Sequence, residues 1–302
     1  MRGLVLRVSG LQSIVESNGQ YWQCEIRGRL KSGRRQTSAP LATGDWVEFK
    51  KTTDSTGIVE SRLPRNSKIS RMSSGERPYE QVIAANIDQF AIVVAVKHPT
   101  VSPGFIDRAL VTAMVGQVEP IICLNKIDLL TGSQSCDIEE IYGSLGFRIL
   151  KTSCETGEGL EVLEAILADR MSALVGQSGV GKSTLLNKIL PGIDLPTSGL
   201  MKKHDRGRHT TTSVHLHSLP KGGYVADTPG IKGLQLWGVL RHELVKYFTE
   251  MAPYVEHCQF RDCSHIHEPS CAIRSAVKSG SISSLRYEGF QRIATSLPRG
   301  SE

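Results

Sequence analysis

Residues 176–184 read GQSGVGKST, so a lysine and two hydroxyl side chains follow a glycine-rich turn. The segment matches the phosphate-binding pattern G-x-x-x-x-G-K-[ST] in full and stands between the apolar run ALVG and the helical pattern TLLNKIL. Such a loop closes its backbone N–H groups around a β-phosphate, and it predicts Lys182 as the catalytic phosphate contact and Ser183 as a Mg²⁺ ligand. The predicted nucleotide-binding residues of this segment are Gly176, Gln177, Ser178, Gly179, Val180, Gly181, Lys182, Ser183 and Thr184.

The segment NKID, residues 125–128, follows the apolar run PIICL and predicts which base the nucleotide carries. A carboxylate at Asp128 accepts hydrogen bonds from N1–H and the exocyclic amine of guanine, whereas N1 of adenine is itself an acceptor. Asn125 is predicted at the O6/N7 edge of the base, and Lys126 along its face. In TSCETGEGL, Ser153 and Cys154 are predicted to offer backbone N–H groups to guanine O6, although an ordinary glycine turn before a helix reads the same way. These patterns favour GTP over ATP.

Two further segments are predicted to respond to the γ-phosphate. DTPG ends the apolar run GYVA, and it predicts Asp227 on Mg²⁺ through water and the Gly230 N–H at the γ-phosphate. The preceding segment, residues 199–219, is rich in Gly, Lys and Arg and ends in a period-two strand pattern. Either Thr211 or Thr212 completes the Mg²⁺ shell in this interpretation; the alternative is that both threonines only open the strand.

The order of these motifs is unusual. The base-reading segment comes first, then the guanine-contact segment, the phosphate loop, the threonines and DTPG, which is a circular permutation of the usual GTPase order. A permutation keeps the packed contacts of a domain because natural termini often lie close together. Whatever follows DTPG is then tethered to the second phosphate-sensing segment.

A cysteine-rich segment, CQFRDCSHIHEPSC, lies near the end of the chain. Cys258, Cys263, His265 and Cys271 suffice for a closed, tetrahedral zinc site of the structural type. Two alternatives stay open, because the C-x₄-C spacing is wider than usual: unligated reduced cysteines, and His267 as the ligand in place of His265. The chain has seven cysteines, and this odd number fits a reducing compartment better than a disulfide framework.

The motifs divide the chain into three predicted regions. Residues 71–245 alternate apolar strand patterns with helical patterns, which is typical of an α/β sheet covered by helices on both faces, with ligand sites at the carboxyl ends of its strands. The predicted strands are FAIVVAV, PIICLN, RILKTS, MSALVGQ and GYVADTPG. Residues 246–302 are the predicted zinc-binding helical region.

Residues 1–70 show short period-two strands separated by turns, such as Trp22, Cys24 and Ile26 on one face of YWQCEIRGRL. They predict a small closed β-barrel, and the basic outer face favours an oligonucleotide-binding (OB) barrel; the alternative is an SH3-like barrel, which has almost the same strand pattern. Residues 1–80 contain 14 Lys and Arg against 8 Asp and Glu and so carry the entire net charge of +6. The basic run RGRLKSGRR, residues 27–35, is either a solvated hairpin tip or a phosphate-binding surface.

Membrane and secretory classes are not favoured. The longest apolar run, FAIVVAV, is far shorter than the roughly 18 residues of a membrane span, and Arg7 interrupts the first apolar residues where a secretory signal needs an apolar core. We therefore expect a cytoplasmic protein without a membrane partner, and we expect it to be a monomer.

Taken in order, the basic barrel, NKID, TSCETGEGL, GQSGVGKST, GRHTTT, DTPG and CQFRDCSHIHEPSC resemble the bacterial ribosomal small-subunit-dependent GTPase family RsgA, also called YjeQ or YloQ. The resemblance spans nearly the whole chain and includes residues 67–89, which look like the linker of that family into the GTPase core. It implies a late assembly factor that binds the 30S subunit near its decoding centre. It also implies an OB barrel on 16S rRNA, a zinc set at the four residues above, and GTP hydrolysis that the subunit stimulates and that is coupled to release of assembly factors.

The attacking water needs a positioning group. Position 231, where Ras-like proteins carry glutamine, is Ile231. The resemblance implies that His209 of GRHTTT takes this role; the alternative is a loop histidine that contacts rRNA.

Three other classes of protein compete with this interpretation. An RNA-binding protein that keeps guanine nucleotide as a structural ligand would show no stimulated turnover. An ATP-driven motor shares the phosphate loop but not NKID. A zinc-dependent DNA-binding protein would need a recognition helix, which the cysteine segment lacks.

Overall fold

The computed structural model describes residues 1–26, 40–73, 75, 78–100, 102–130, 137–193, 195, 214–228 and 234–298. The basic run 27–35 lies outside the described residues. So do four predicted site residues: His209, Thr211, Thr212 and Gly230.

The first five strands close into a barrel. They are β1 (Arg2–Ser9), β2 (Gln12–Ser17), β3 (Gln20–Ile26), β4 (Trp46–Lys51) and β5 (Thr56–Arg62). Their order is β1-β2-β3-β5-β4, and β4 returns to pair with β1, while β3 and β5 run parallel. This order is that of an OB barrel and not of the SH3-like alternative. The OB prediction is therefore confirmed.

Alternation along β3 shows why this segment forms a half-buried strand. Trp22, Cys24 and Ile26 are buried, and the residues between them are exposed. Trp22 packs on Phe49 of the facing strand with ring centroids 5.7 Å apart. The buried face of each strand thus fills the barrel interior.

A hairpin of β6 (Lys68–Met72) and β7 (Glu80–Ala85) leads from the barrel to the central sheet. The strands of that sheet are β8 (Gln89–Ala95), β9 (Glu119–Asn125), β10 (Arg148–Thr152), β11 (Met171–Gly176), β12 (His215–Ser218) and β13 (Tyr224–Asp227). Their order is β10-β9-β8-β11-β13-β12, and only β12 is antiparallel to its neighbour. Each of the five predicted apolar runs contains a strand of this sheet. All seven residues of β8 are buried, as expected for a central parallel strand.

Four helices cover the sheet: α1 (Pro103–Val115), α2 (Asp137–Ser144), α3 (Leu160–Leu167) and α4 (Lys182–Ile189). The barrel joins the sheet where β1 pairs with β12 at Arg7 and His215. Because the parallel strands all end at one edge, the loops after β8, β9, β10, β11 and β13 lie together there.

The C-terminal region contains a 3₁₀ helix (Arg241–Tyr247), α5 (Ala252–Val255), α6 (Ala272–Lys278) and α7 (Ser284–Ser296). Its core joins Phe248 and Phe290 with Val111 of α1 and with apolar residues from 236 onward. The predicted boundaries near residues 70 and 245 stay predictions. In the described part of the chain, no helix has the length and apolar character needed to cross a membrane.

Candidate nucleotide site and metal centre

The phosphate loop connects β11 to α4, and two of its glycines are required by their backbone conformation. Gly179 has φ 85° and Gly181 has φ 93°, which is the left-handed region that favours glycine. A Cβ atom on Gly181 would lie 2.4 Å from Nδ2 of Asn125. The close approach of the base-reading segment therefore needs glycine at this position.

Lys182 and Asp227 form an ion pair at the centre of the site. The Lys182 Nζ lies 2.6 Å from Asp227 Oδ1, and both side chains are largely buried. The pair arises because β11 and β13 are parallel neighbours, which places the start of α4 beside the end of β13. The predicted phosphate lysine and the predicted magnesium aspartate thus occupy one place, although they are far apart in sequence.

The NKID segment is fastened to the phosphate loop by its own side chains. Asn125 Nδ2 donates to the Val180 carbonyl at 2.8 Å, and Lys126 Nζ donates to the Gly179 carbonyl at 2.7 Å. Thr152 Oγ1 donates to Asn125 Oδ1 at 3.1 Å. Asn125 and Lys126 therefore also hold two loops at a fixed separation, a function that sequence reasoning missed because their acceptors are backbone carbonyls.

The Asp128 carboxylate is oriented by Ser153. The Ser153 Oγ donates to Asp128 Oδ1 at 2.5 Å and accepts from the backbone N–H groups of Glu155 and Thr156, each at 3.2 Å. Ser153 is fully buried, so its hydroxyl has little freedom to turn away. The sequence predicted only a backbone contact from Ser153; the hydroxyl has an additional function, to fix the carboxylate that would read the base.

One cavity of about 220 Å³ brings the predicted base-reading residues together. Burial raises the pKa of the Cys154 thiol, which is half-buried at the wall of this cavity, so the side chain serves as a neutral surface there. The cavity is lined by Asn125, Lys126, Asp128, Leu129, Cys154, Glu155, Gly181 and Thr184.

The loop after β8 also belongs to this site, and sequence reasoning missed it. Lys97 Nζ donates to the Leu129 carbonyl at 3.0 Å, and Lys126 Nζ donates to the His98 carbonyl at 2.5 Å. The two loops therefore exchange hydrogen bonds in both directions. No motif signals this contact, because each acceptor is a carbonyl that any residue type supplies.

The four predicted metal ligands converge in the C-terminal region. Cys258 Sγ lies 3.5 Å from His265 Nδ1 and 3.9 Å from Cys271 Sγ, and Cys271 Sγ lies 3.7 Å from His265 Nδ1. All four ligand atoms, including that of Cys263, lie within 4.8 Å of one another. A tetrahedral zinc with ordinary bond lengths separates two sulfurs by about 3.8 Å and sulfur from nitrogen by about 3.5 Å. The donor set therefore fits zinc. His267 is exposed and is not in this cluster.

Comparison with known proteins identifies the family. Residues 2–59 match the RsgA N-terminal domain and residues 62–237 match the RsgA GTPase domain. The small ribosomal subunit biogenesis GTPase RsgA of Haemophilus influenzae (strain PittGG) is 39% identical over 97% of this chain and 84% of its own length. The RsgA of Moorella thermoacetica is 39% identical over 96% of this chain and 95% of its own length.

This chain belongs to the RsgA GTPase family.

Solved structures agree with this membership. The crystal structure of YjeQ from Thermotoga maritima superimposes with a TM-score of 0.76 at 34% identity and covers 98% of each chain. YloQ, described as a circularly permuted GTPase, superimposes with a TM-score of 0.71 at 27% identity, over 99% of this chain and 96% of the other. The predicted circular permutation is confirmed.

Membership in the RsgA family makes the chain a GTP hydrolase that uses guanine nucleotide and Mg²⁺. The catalytic chemistry is the transfer of the γ-phosphoryl group to water. Among the predicted nucleotide-site residues, the described ones gather at one sheet edge, whereas the switch threonines, Gly230 and His209 lie outside the described part of the chain.

Proposed function

We propose that this RsgA-family chain acts in late maturation of the small ribosomal subunit; its relatives are named small ribosomal subunit biogenesis GTPases. It binds the 30S subunit, the subunit stimulates GTP hydrolysis, and hydrolysis is coupled to release of an assembly factor. The observation that carries this proposal is the 39% identity to a small-subunit biogenesis GTPase over 97% of the chain. The proposal includes the cytoplasm as the place of action and a monomer as the acting form.

The proposed nucleotide roles follow the geometry of the sheet edge. Asp128 reads guanine, with Ser153 holding the carboxylate, and Asn125 and Lys126 fix the distance from base to phosphates. Lys182 contacts the β- and γ-phosphates, and Ser183 ligates Mg²⁺. In this proposal phosphate oxygens would take the place of Asp227 beside the Lys182 ammonium, and Asp227 would then be available to hold Mg²⁺ through water.

We propose zinc as the ligand of Cys258, Cys263, His265 and Cys271. Zinc with four protein ligands has no open coordination position, so it would stabilise the fold and would not act as a Lewis acid. The support is the set of ligand separations, which matches a tetrahedral ion.

We propose that the barrel contacts 16S rRNA. The support is that the first 80 residues carry the whole net charge of +6, because an excess of Lys and Arg attracts the phosphate backbone. Binding should then weaken with salt, at a slope of about 0.7 to 0.9 per phosphate neutralised.

The experiment is GTP hydrolysis by the purified chain with and without 30S subunits, with ATP and 50S subunits as controls. Intrinsic hydrolysis is expected on the order of 10⁻⁴ to 10⁻² s⁻¹. Strong stimulation is expected with 30S subunits and GTP, and not with 50S subunits or ATP. Tight GTP binding without stimulation would contradict the ribosomal role and favour a chain that keeps the nucleotide as a structural ligand.

His209 is proposed to position the attacking water, either Thr211 or Thr212 to complete the Mg²⁺ shell, and the Gly230 N–H to contact the γ-phosphate. Replacing His209 with alanine should abolish the 30S-stimulated turnover and leave GTP affinity unchanged. Full stimulation in His209→Ala would exclude the residue from the mechanism.

A further inference from the structure

A buried cluster of charged side chains joins the C-terminal helix α7 to the GTPase domain. Arg286 on α7 is 2% exposed and its guanidinium donates to Asp107 of α1. On its other side, Arg286 Nε donates to Glu250 Oε1 at 2.7 Å and Nη2 donates to Oε2 at 3.2 Å. The guanidinium carbon also lies 4.4 Å from the ring centroid of Phe248 and 5.3 Å from that of Tyr142. A guanidinium with this many partners is fixed in place.

The packing of α7 on α1 is close at this point. Gly289, one turn after Arg286, faces the same carboxylate, and a Cβ atom there would lie 1.7 Å from Asp107 Oδ2. The two helices therefore approach each other more closely than a side chain at residue 289 would allow. Further along α1, Arg108 Nη2 donates to Ser296 Oγ at 3.2 Å.

Tyr142 of α2 connects the cluster to the beginning of α1. Its hydroxyl lies 2.7 Å from Asp107 Oδ1 and 3.2 Å from the carbonyl of Pro103, the first residue of α1. One proton is shared between these two acceptors. The C-terminal region is thus fastened both to α1 and to α2.

Both of these helices are preceded by loops of the guanine site. Lys97 and His98, which exchange hydrogen bonds with the base-reading loop, stand a few residues before α1. The base-reading loop itself precedes α2 in the chain. The cluster therefore joins α1 to α2 on the same two chain segments that carry the two loops, and the loops hydrogen-bond to each other.

We propose that Arg286 is a positioning residue for guanine-nucleotide binding, which acts from the C-terminal region through Asp107 and Tyr142. The inference rests on the guanine site proposed above but not on the ribosomal partner. It assigns to the C-terminal region a function in nucleotide affinity in addition to the zinc site. The residue does not touch the nucleotide, and its effect passes through α1 and α2 to the loops at residues 96–99 and 126–129.

The experiment measures the Kd and the dissociation rate of a fluorescent GDP analogue on the full chain. The test variants are Arg286→Met, Arg286→Lys and Tyr142→Phe. The matched control is Arg292→Met on the same helix, because Arg292 is exposed and bonds to Glu288 one turn away. Zinc content and melting temperature are recorded for every variant.

The expected result is a Kd for GDP raised about tenfold in Arg286→Met and about threefold in Tyr142→Phe, which is the size of effect that residues without ligand contact typically have on a distant site. Faster dissociation should account for the rise. The Kd for GDP of Arg286→Lys should lie between those of Arg286→Met and the parent chain, because lysine keeps the charge and loses the bidentate contact. Zinc content and kcat at saturating GTP should stay within about twofold of the parent, since Arg286 makes no contact with the reacting atoms.

The result that overturns the proposal is an unchanged Kd for GDP in Tyr142→Phe and Arg286→Lys, even if their melting temperatures fall, because the cluster would then only join two regions. Should Arg286→Met fail to fold, these two conservative variants decide the matter. Absence of GDP binding in the parent chain would instead contradict the proposed guanine site, so the two failures are distinguishable.

Discussion

The guanine pocket and the cysteine cluster are assembled in opposite ways. The four ligand atoms of the cluster come from one short segment of chain, residues 258–271, and they lie within 4.8 Å of one another. The guanine pocket takes its parts from loops after β8, β9, β10 and β11, and residues far apart in sequence must meet, such as Asn125 and Val180 at 2.8 Å. A local site depends on each of its own ligands, whereas a distributed site spreads its geometry over many weaker contacts. The predictions below test this difference.

The largest effect is expected in the cluster. Cys271→Ser should remove zinc from the protein altogether, because a serine hydroxyl does not replace a thiolate and metal-binding free energies on the order of 10 kcal/mol depend on the full ligand set. The affinity for GDP should fall by less than about tenfold, since the pocket contains none of these ligands. Metal analysis of the purified variant tests this prediction, with His267→Ala as the control that should keep its zinc. Full zinc content in Cys271→Ser would mean that the metal is held by other residues.

The next effect concerns Asp128, the carboxylate proposed to read the base. Asp128→Asn should weaken GDP binding by at least about a hundredfold, because an amide donor then faces the donors of guanine. The same amide suits a carbonyl at C2, so xanthosine diphosphate should bind better to the variant than to the parent chain. Competition titrations with both nucleotides measure the exchange of preference. Retained GDP affinity would show that a different residue reads the base.

A smaller effect is expected from the hydroxyl that orients this carboxylate. Ser153→Ala leaves Asp128 in place but removes its 2.5 Å hydrogen bond. One such bond is worth about 1 to 1.5 kcal/mol, which is roughly a tenfold loss of affinity. The GDP dissociation constant of the variant should therefore fall between those of the parent and Asp128→Asn. An affinity equal to that of the parent would show that the pocket tolerates a freely turning carboxylate.

The last effect concerns stability and not affinity, and it is expected where α7 of the C-terminal region packs on α1. Burial raises the pKa of Asp107 to about 6, from an ordinary 3.8, and Arg286 opposes the rise only in part. Between these two values the folded chain binds more protons at this carboxyl than the unfolded chain, so its contribution to the free energy of unfolding falls as pH rises from about 4 to about 6 and is level above that. Denaturant unfolding at several pH values should show this slope in the parent chain.

The control for this slope is Asp107→Asn, which removes the titrating group. The slope between pH 4 and 6 should be smaller in the variant. Identical slopes in the two proteins would contradict a raised pKa at Asp107.

Much of the fold was predictable because the patterns are local. FAIVVAV, PIICLN and MSALVGQ are long apolar runs, and each forms a parallel strand because only a strand covered on both faces buries such a run completely. The barrel was predictable as a barrel from period-two alternation, but its OB topology was not, since the pairing of β3 with β5 and of β4 with β1 depends on contacts between distant strands. For the same reason, the sequence did not show that the loop at residues 96–99 contacts the base-reading loop.

The sequence by itself determined the phosphate-loop motif, the permuted motif order, and the two proposed sites: a guanine-reading carboxylate and a set of four metal ligands. These features are encoded by side-chain type at fixed spacing along the chain, so they can be read before folding is known. Only the tertiary structure decided that Asn125 and Lys126 brace the phosphate loop, that Lys97 exchanges hydrogen bonds with the base-reading loop, and that Arg286 joins the C-terminal region to α1. In the first two cases the acceptor is a backbone carbonyl, and in the third the partners are 179 residues apart. Neither kind of contact produces a recognisable pattern in the local sequence.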